Sequence, residues 1–300
     1  MRQAVIDVGS NTIRTVVYEI DGKNYKTLLN ERDFSSIISY IENEALSDEG
    51  VTKLKEVLTK MVTLCRLLEC VKIHCFATAS LRNVSNSEKV LSDIKKELDL
   101  DVEIIAGTDE AKYDFAGLKS AVDVKDGVGL DLGGGSCQVF SFENGKLNDC
   151  QSFPIGCLKL YDKFVEGIMP TPTEAKAIKA YVTECLKNAP ELKKLGFDTV
   201  YAMGGSARAA AKLHRAFVGS EKPISGYELT INQMDELCGL IDDMNLSGVR
   251  LIAKILPERV NTIVTGILAL RTVCKYVGAD KIQIVKAGVR EGFLYENLLK

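Results

Sequence analysis

The sequence predicts an α/β protein made of two similar domains, and three observations carry that expectation. A chain of 300 residues exceeds the usual size of one domain and divides naturally into two. A unit of strand, aspartate, glycine turn and two further strands opens the chain and returns near residue 127. After each occurrence the apolar pattern changes to alternating helical and strand-like segments, as α/β architecture requires.

The elements follow in order. AVIDV (4–8) is a continuous apolar run, TIRTVVYEI (12–20) alternates, Asp21-Gly22 supplies a hairpin turn, and a third strand starts at Tyr25. The second copy reads GVGLDL (127–132), then SCQVFSF, a turn at Asn144-Gly145, and a strand through LNDCQSF. Asp7 and Asp131 end the first strands, and the aspartate-to-turn-glycine distances are 15 and 14 residues, so the match is close but imperfect. Repetition at this separation indicates duplicated domains rather than a short-period solenoid. Between the copies, Val51, Leu54, Leu58, Met61, Val62, Cys65 and Leu68 form one helix face. A strand at VKIHCFA, a helix near 86–98, a strand at DVEII and a helix opened by Gly107-Thr108-Asp109-Glu110 come next. The second half should hold a helix over 173–188, strand TVYAM, a turn at 204–206, helices to about Cys274, strand KIQIV and a helix from Val289. The expected domains are 1–123 and 124–300, with the C-terminal helix, about 289–300, packing back on the first.

Composition removes several function classes. Hydrophobic content of 46%, charged content of 26% and a net charge of −3 describe a globular chain with no basic excess for nucleic acid or acidic membranes. An anionic substrate would have to be held by a local cluster of donors. No run of 18 apolar residues occurs, and the opening MRQAVIDVGS is strand-like rather than a secretory segment. The expected compartment is the cytosol, with no membrane partner. Nine cysteines without a CxxC pair, several of them in apolar patterns (Cys65, Cys185, Cys238, Cys274), read as buried free thiols. Two histidines, His74 and His214, argue against a zinc site.

The turn after Asp7 consists of Gly9, Ser10 and Asn11; that after Asp131 consists of Gly133, Gly134, Gly135 and Ser136. Glycine allows a tight turn whose exposed N–H groups can bind phosphate oxygens, and an aspartate at the strand end can hold Mg²⁺ directly or through water. One such turn is usually structural; two on matching frames are a stronger signal. Gly204, Gly205 and Ser206 precede a helix, where an anion site and a plain strand–helix turn are equally good readings. Arg14, among apolar strand residues, either binds phosphate or lies on a solvated face, and Arg82 in ATASLR poses the same choice. Asp109 and Glu110 at a helix start are favoured there by the dipole, and on spacing alone that reading exceeds a general-base role.

Taken together, these segments resemble the exopolyphosphatase / guanosine pentaphosphate phosphatase family, within the actin-like and sugar-kinase superfamily. The motifs are DVGSNTIR at 7–14, ATASLR ending at Arg82, IAGTDEA containing Glu110, DLGGGS at 131–136, GGSAR at 204–208 and GVREG at 288–292. The resemblance implies duplicated ribonuclease H-like (actin-like ATPase) domains with a cleft between them. It implies Glu110 as the residue that activates water, with Arg14 and Arg82 and the three glycine turns holding phosphate oxygens. Mg²⁺, or Mn²⁺, would lie near Asp7 and Asp131, and members often pair, so a homodimer is expected.

The chain departs from the family pattern at Cys137-Gln138, where Thr-Glu is usual, at Asp109, which replaces a glutamate, and at Arg259-Val260-Asn261, where Arg-Ala-Asp is usual. The Arg-Leu-Gly-x-Gly stretch after the first hairpin is replaced by ERDFSSIISY. The expected activity is release of terminal phosphate from a phosphoanhydride, with inorganic polyphosphate preferred over guanosine pentaphosphate. The alternatives are a small-molecule kinase of the same superfamily, and a polyphosphate- or nucleotide-binding regulator with weakened catalysis.

Overall fold

The apolar run at the start of the chain forms a central strand, β1 (Arg2–Val8), buried from Gln3 to Ile6 because neighbours pair on both edges. The computed structural model describes residues 1–242 and 246–299. They group into two units, one of Met1–Glu110 with the segment from Phe293, the other of Ala111–Gly292.

In the first unit, β1 pairs antiparallel with β2 (Ile13–Asp21), which pairs with β3 (Asn24–Asp33). A small hairpin of β4 (Ile41–Glu42) and β5 (Ala45–Leu46) leads into α1 (Asp48–Leu67). Strand β6 (Lys72–Ala77) returns parallel to β1. The short α2 (Ala79–Arg82), α3 (Ser87–Leu98) and β7 (Val102–Ile104) follow, the last parallel to β6. The sheet order is β3-β2-β1-β6-β7. The predicted apolar face of α1 supplies Leu54, Leu58, Met61 and Val62 to a core with Ile6, Val8 and Ile13. Ser47 caps this helix, its side chain accepting from the Gly50 N–H at 3.2 Å.

The boundary between the units falls inside α4 (Gly107–Ala121), at 110/111 rather than the 123/124 expected from sequence. The packing of α4 beyond Glu110 explains the position. A Cβ on Gly117 would lie 2.6 Å from the Gly288 carbonyl oxygen, and one on Gly292 would run into the Tyr113 carbonyl. Backbone therefore meets backbone along α4, and the GVREG glycines are needed for that approach.

In the second unit, β8 (Gly127–Leu132), β9 (Cys137–Glu143) and β10 (Lys146–Phe153) repeat the antiparallel meander. Asn144 and Gly145, with φ of 51° and 70°, make the two-residue turn predicted between β9 and β10. Helices α5 (Cys157–Phe164) and α6 (Pro172–Leu186), strand β11 (Thr199–Met203) and α7 (Gly204–Phe217) come next. They are followed by β12 (Glu228–Thr230), α8 (Ile231–Asp242), α9 (Leu246–Ile255) and α10 (Ile263–Val277), then β13 (Lys281–Ile284) and α11 (Val289–Phe293). The sheet order is β10-β9-β8-β11-β13-β12. Both sheets thus run from a three-stranded meander into strands parallel to its first member, which is the duplication the sequence implied; β12 is an addition. The α2, β4, β5 and β12 segments have two to four residues, too few for a periodic signal. Among the described residues no helix is long and apolar enough to cross a membrane.

Candidate active site

The first turn is shaped by a close backbone approach. The Gly9 N–H donates to the Thr12 carbonyl at 3.2 Å, and a Cβ on Gly9 would lie 2.9 Å from that same oxygen. Ser10 is buried, and its carbonyl accepts from the Ile38 N–H. Asn11 is engaged twice by Ser36: its carbonyl accepts from the Ser36 N–H at 3.1 Å, and its Oδ1 accepts from Ser36 Oγ at 2.9 Å. Asn11 therefore ties the turn to the segment 31–40. Asp7 and Arg14 are register partners across β1 and β2 and so share one sheet face. Arg14 Nε donates to Asn30 Oδ1 at 2.7 Å, which orients its guanidinium along β3.

Arg82 and Glu110 are brought together. The Ser80 hydroxyl, fully buried, donates to the Val8 carbonyl at 2.5 Å and pins α2 to the end of β1. From α2, Arg82 Nη1 donates to the Ile105 carbonyl and to Glu110 Oε2, each at 3.0 Å. Both side chains are largely covered, at 18% and 10% exposure. A carboxylate this buried needs a charged partner, and Arg82 is that partner. Glu110 is thus held by a specific ion pair, whereas its neighbour Asp109 is more exposed.

The second turn is seated on α5. The Gly133 N–H donates to the Ser136 carbonyl at 3.0 Å, and the carbonyls of Gly133 and Gly134 accept from the N–H groups of Cys157, Leu158 and Lys159. The start of α5 is therefore satisfied by the turn. A Cβ on Gly156 would run into Gly134 and Gly135 backbone atoms, so only glycine fits beneath the turn. Gln138, register partner of Asp131, is 1% exposed, and its Nε2 donates to Ser136 Oγ at 2.9 Å and Ser152 Oγ at 3.1 Å. The Gln138 side-chain amide thus orients the Ser136 hydroxyl.

Asp131 is the centre of a charged cluster within the second unit. Gly204 has φ +82°, and a Cβ there would run into Asp131 Oδ1; one on Gly205 would run into Arg259 Nη2. The Cβ position of Gly288 is 3.4 Å from Asp131 Oδ2, 3.6 Å from Asp114 Oδ1 and 4.0 Å from Glu291 Oε2. Burial holds the Arg208 guanidinium below its ordinary pKa and Arg290 and Arg259 push the same way, while Asp131 and Glu291 oppose the shift. Three arginines and three carboxylates therefore share this region. Ser206, by contrast, is buried, with its hydroxyl donating to Cys157 Sγ at 3.4 Å inside the domain.

Sequence reasoning did not single out Asp114 or Gly156, and it held Arg208 and Glu291 only inside the motifs GGSAR and GVREG, without a role of their own. Asp114 did leave a signal: it interrupts the apolar stripe Ala111, Phe115 and Leu118 on α4, and it is fully buried. A charge in a helix's apolar stripe marks either a partner or a site.

A model of the Ppx/GppA phosphatase family matches residues 16–300. The chain belongs to that family. Exopolyphosphatase 1 of Mycobacterium leprae is 23% identical over 304 residues, covering 99% of this chain and 90% of that one. A guanosine-5'-triphosphate,3'-diphosphate pyrophosphatase of Aeromonas hydrophila is also 23% identical, over 97% of this chain but 58% of its own length. The fold resembles an exopolyphosphatase from Cytophaga hutchinsonii, with a TM-score of 0.88, 23% identity, and coverage of 98% of this chain and 97% of that one. It also resembles the Aquifex aeolicus Ppx/GppA member, with a TM-score of 0.79, 23% identity, and coverage of 100% and 98%.

Proposed function

We propose that this Ppx/GppA member releases terminal orthophosphate from phosphoanhydrides, with inorganic polyphosphate preferred and guanosine pentaphosphate the second substrate. The observation that carries this reading is the covered Arg82–Glu110 pair, a carboxylate fixed by a cation at the start of α4. In the proposed reaction Glu110 accepts a proton from water as the water oxygen attacks the terminal phosphorus. The bond to the bridging oxygen breaks, and the shortened substrate leaves with that oxygen's charge. Arg82 positions Glu110, and Arg14 and the turn N–H groups are the donors proposed for non-bridging oxygens, where charge stabilisation does most for phosphoryl transfer.

A divalent cation fits the chemistry of Asp131 and Asp7, whose hard oxygen donors suit Mg²⁺ or Mn²⁺. Among the described residues no three His, Cys, Asp or Glu side chains are disposed to hold a metal. Mg²⁺ commonly uses one or two carboxylates and fills its other positions with water and substrate phosphate, so a single aspartate, Asp131 or Asp7, is enough protein ligation for it. When bound, the cation would neutralise charge on the phosphate oxygens.

The test measures orthophosphate release from short polyphosphate and from guanosine pentaphosphate, with Mg²⁺ and then Mn²⁺, for wild type and Glu110→Gln. The amide keeps the volume and a hydrogen bond for Arg82 but accepts no proton. Release by wild type, reduced roughly 10²–10⁴-fold in the variant, is expected. Binding of both substrates without release by wild type would overturn the hydrolase and leave a binding protein.

A further inference from the structure

The end of α1 carries a feature that phosphate chemistry does not use. Glu69 has φ +55°, its N–H donates to the Arg66 carbonyl at 2.9 Å, and the Cys70 N–H donates to the Cys65 carbonyl at 3.0 Å. These are the two hydrogen bonds of a Schellman motif, with Glu69 in the left-handed position usually given to glycine. The motif ordinarily brings an apolar contact between the residue after the left-handed one and the residue five positions earlier. Here those two residues are Cys70 and Cys65.

We propose that Cys65 and Cys70 form a reversible dithiol–disulfide site. The hydrogen bond bounds the geometry: Cα lies about 1.5 Å from its own nitrogen and about 2.4 Å from its carbonyl oxygen, so the two Cα atoms are at most about 6.9 Å apart. Disulfides span roughly 4.4–6.8 Å between Cα atoms. The side chains meet as well. Cys65 is fully buried against Ala4 and Val17, and Cys70 packs on the small cluster that Cys65 forms with them. Cys70 is half-buried and is the thiol a reagent can reach; Cys65 is reached through it.

Protonation sets the order of events. Burial pushes both thiols up, Cys65 to about 12 with Cys70 adding to the shift, whereas for Cys70 the rise is partly offset by Cys65 and by Arg2. Cys70 is therefore the first nucleophile. Its thiolate attacks one sulfur of a low-molecular-weight disulfide such as oxidised glutathione, forming a mixed disulfide and releasing one glutathione thiolate. Cys65, on losing its proton, attacks the Cys70 sulfur and expels the second. Two protein thiols lose two electrons and two protons, and the reagent gains both to become two thiols. The product ties the end of α1 to the lead into β6.

Trypsin separates the two cysteines, because Arg66 lies between them and Lys60 and Lys72 flank them. Full-length protein would be incubated with oxidised glutathione at mildly alkaline pH, denatured, alkylated and digested. The expected result is fragments 61–66 and 67–72 joined, separating on reduction, with the free-thiol count falling from nine to seven. Cys70→Ser should abolish the joined species. Recovery of both fragments alkylated, or of 67–72 carrying glutathione while 61–66 is alkylated, would overturn the proposal. So would 61–66 joined to 73–82, which carries the neighbouring Cys75.

Discussion

Gly156 bears on the site without carrying any chemical group, so replacing it isolates the mechanics of the second turn. A methyl at this position meets the Gly134 carbonyl carbon and oxygen and the Gly135 carbonyl carbon, all of them backbone. No side chain can swing aside, and the turn or the start of α5 must shift. The Gly133 and Gly134 carbonyls that accept from Cys157, Leu158 and Lys159 would move with it. Overpacking of this kind costs about 1–3 kcal/mol. A displacement of about 1 Å in a phosphate-positioning element can cost about 10²-fold in rate. The expectation for Gly156→Ala is therefore an unfolding free energy in urea lowered by that amount and phosphate release reduced by one to two orders of magnitude. Gly145→Ala is the control: its φ is +70° with nothing within 4 Å of the added carbon. It should lose about 1–2 kcal/mol from left-handed backbone strain and keep wild-type release. Wild-type stability and release in Gly156→Ala would refute the seating of the turn on α5, and so would equal loss of release in both variants.

Three further outcomes are expected. Arg82→Ala leaves Glu110 buried without its cation and should cost about 3–5 kcal/mol in chemical denaturation, together with loss of release; Arg82→Lys should recover part of the stability. Gln138→Glu exchanges a buried donor to Ser136 and Ser152 for a carboxylate beside Asp131. It should lower stability by about 1–3 kcal/mol without divalent metal and show a larger Mg²⁺-dependent rise in melting temperature than wild type. His214 is held below its ordinary pKa by burial, and His74 by burial and Lys72, so the unfolded chain takes up protons that the fold does not. Stability from these groups is present above the unfolded value and is lost as pH falls below about 6.5. His214→Phe should flatten that slope in unfolding titrations between pH 7.5 and 5; an unchanged slope would assign it to other groups.

The duplicated meander, the aspartates ending β1 and β8, and the hairpin at Asn144-Gly145 were legible because each depends on a few consecutive residues. Strand alternation has a period of two, and a two-residue turn states its own backbone requirement. The glycine turns could likewise be located, but their surroundings could not. That Asn11 is spent on Ser36, that Ser206 turns into the core towards Cys157, and that Glu110 is paired with Arg82 are facts of tertiary contact. The charged cluster around Asp131 draws Asp114, Arg208, Arg259 and Glu291 from four separate segments. A buried charge takes whatever counter-charge the fold delivers, and sequence separation says nothing about which one arrives. The chain's own order thus determined the strands and where phosphate-type turns fall, whereas only folding decided which polar groups those turns leave available for chemistry.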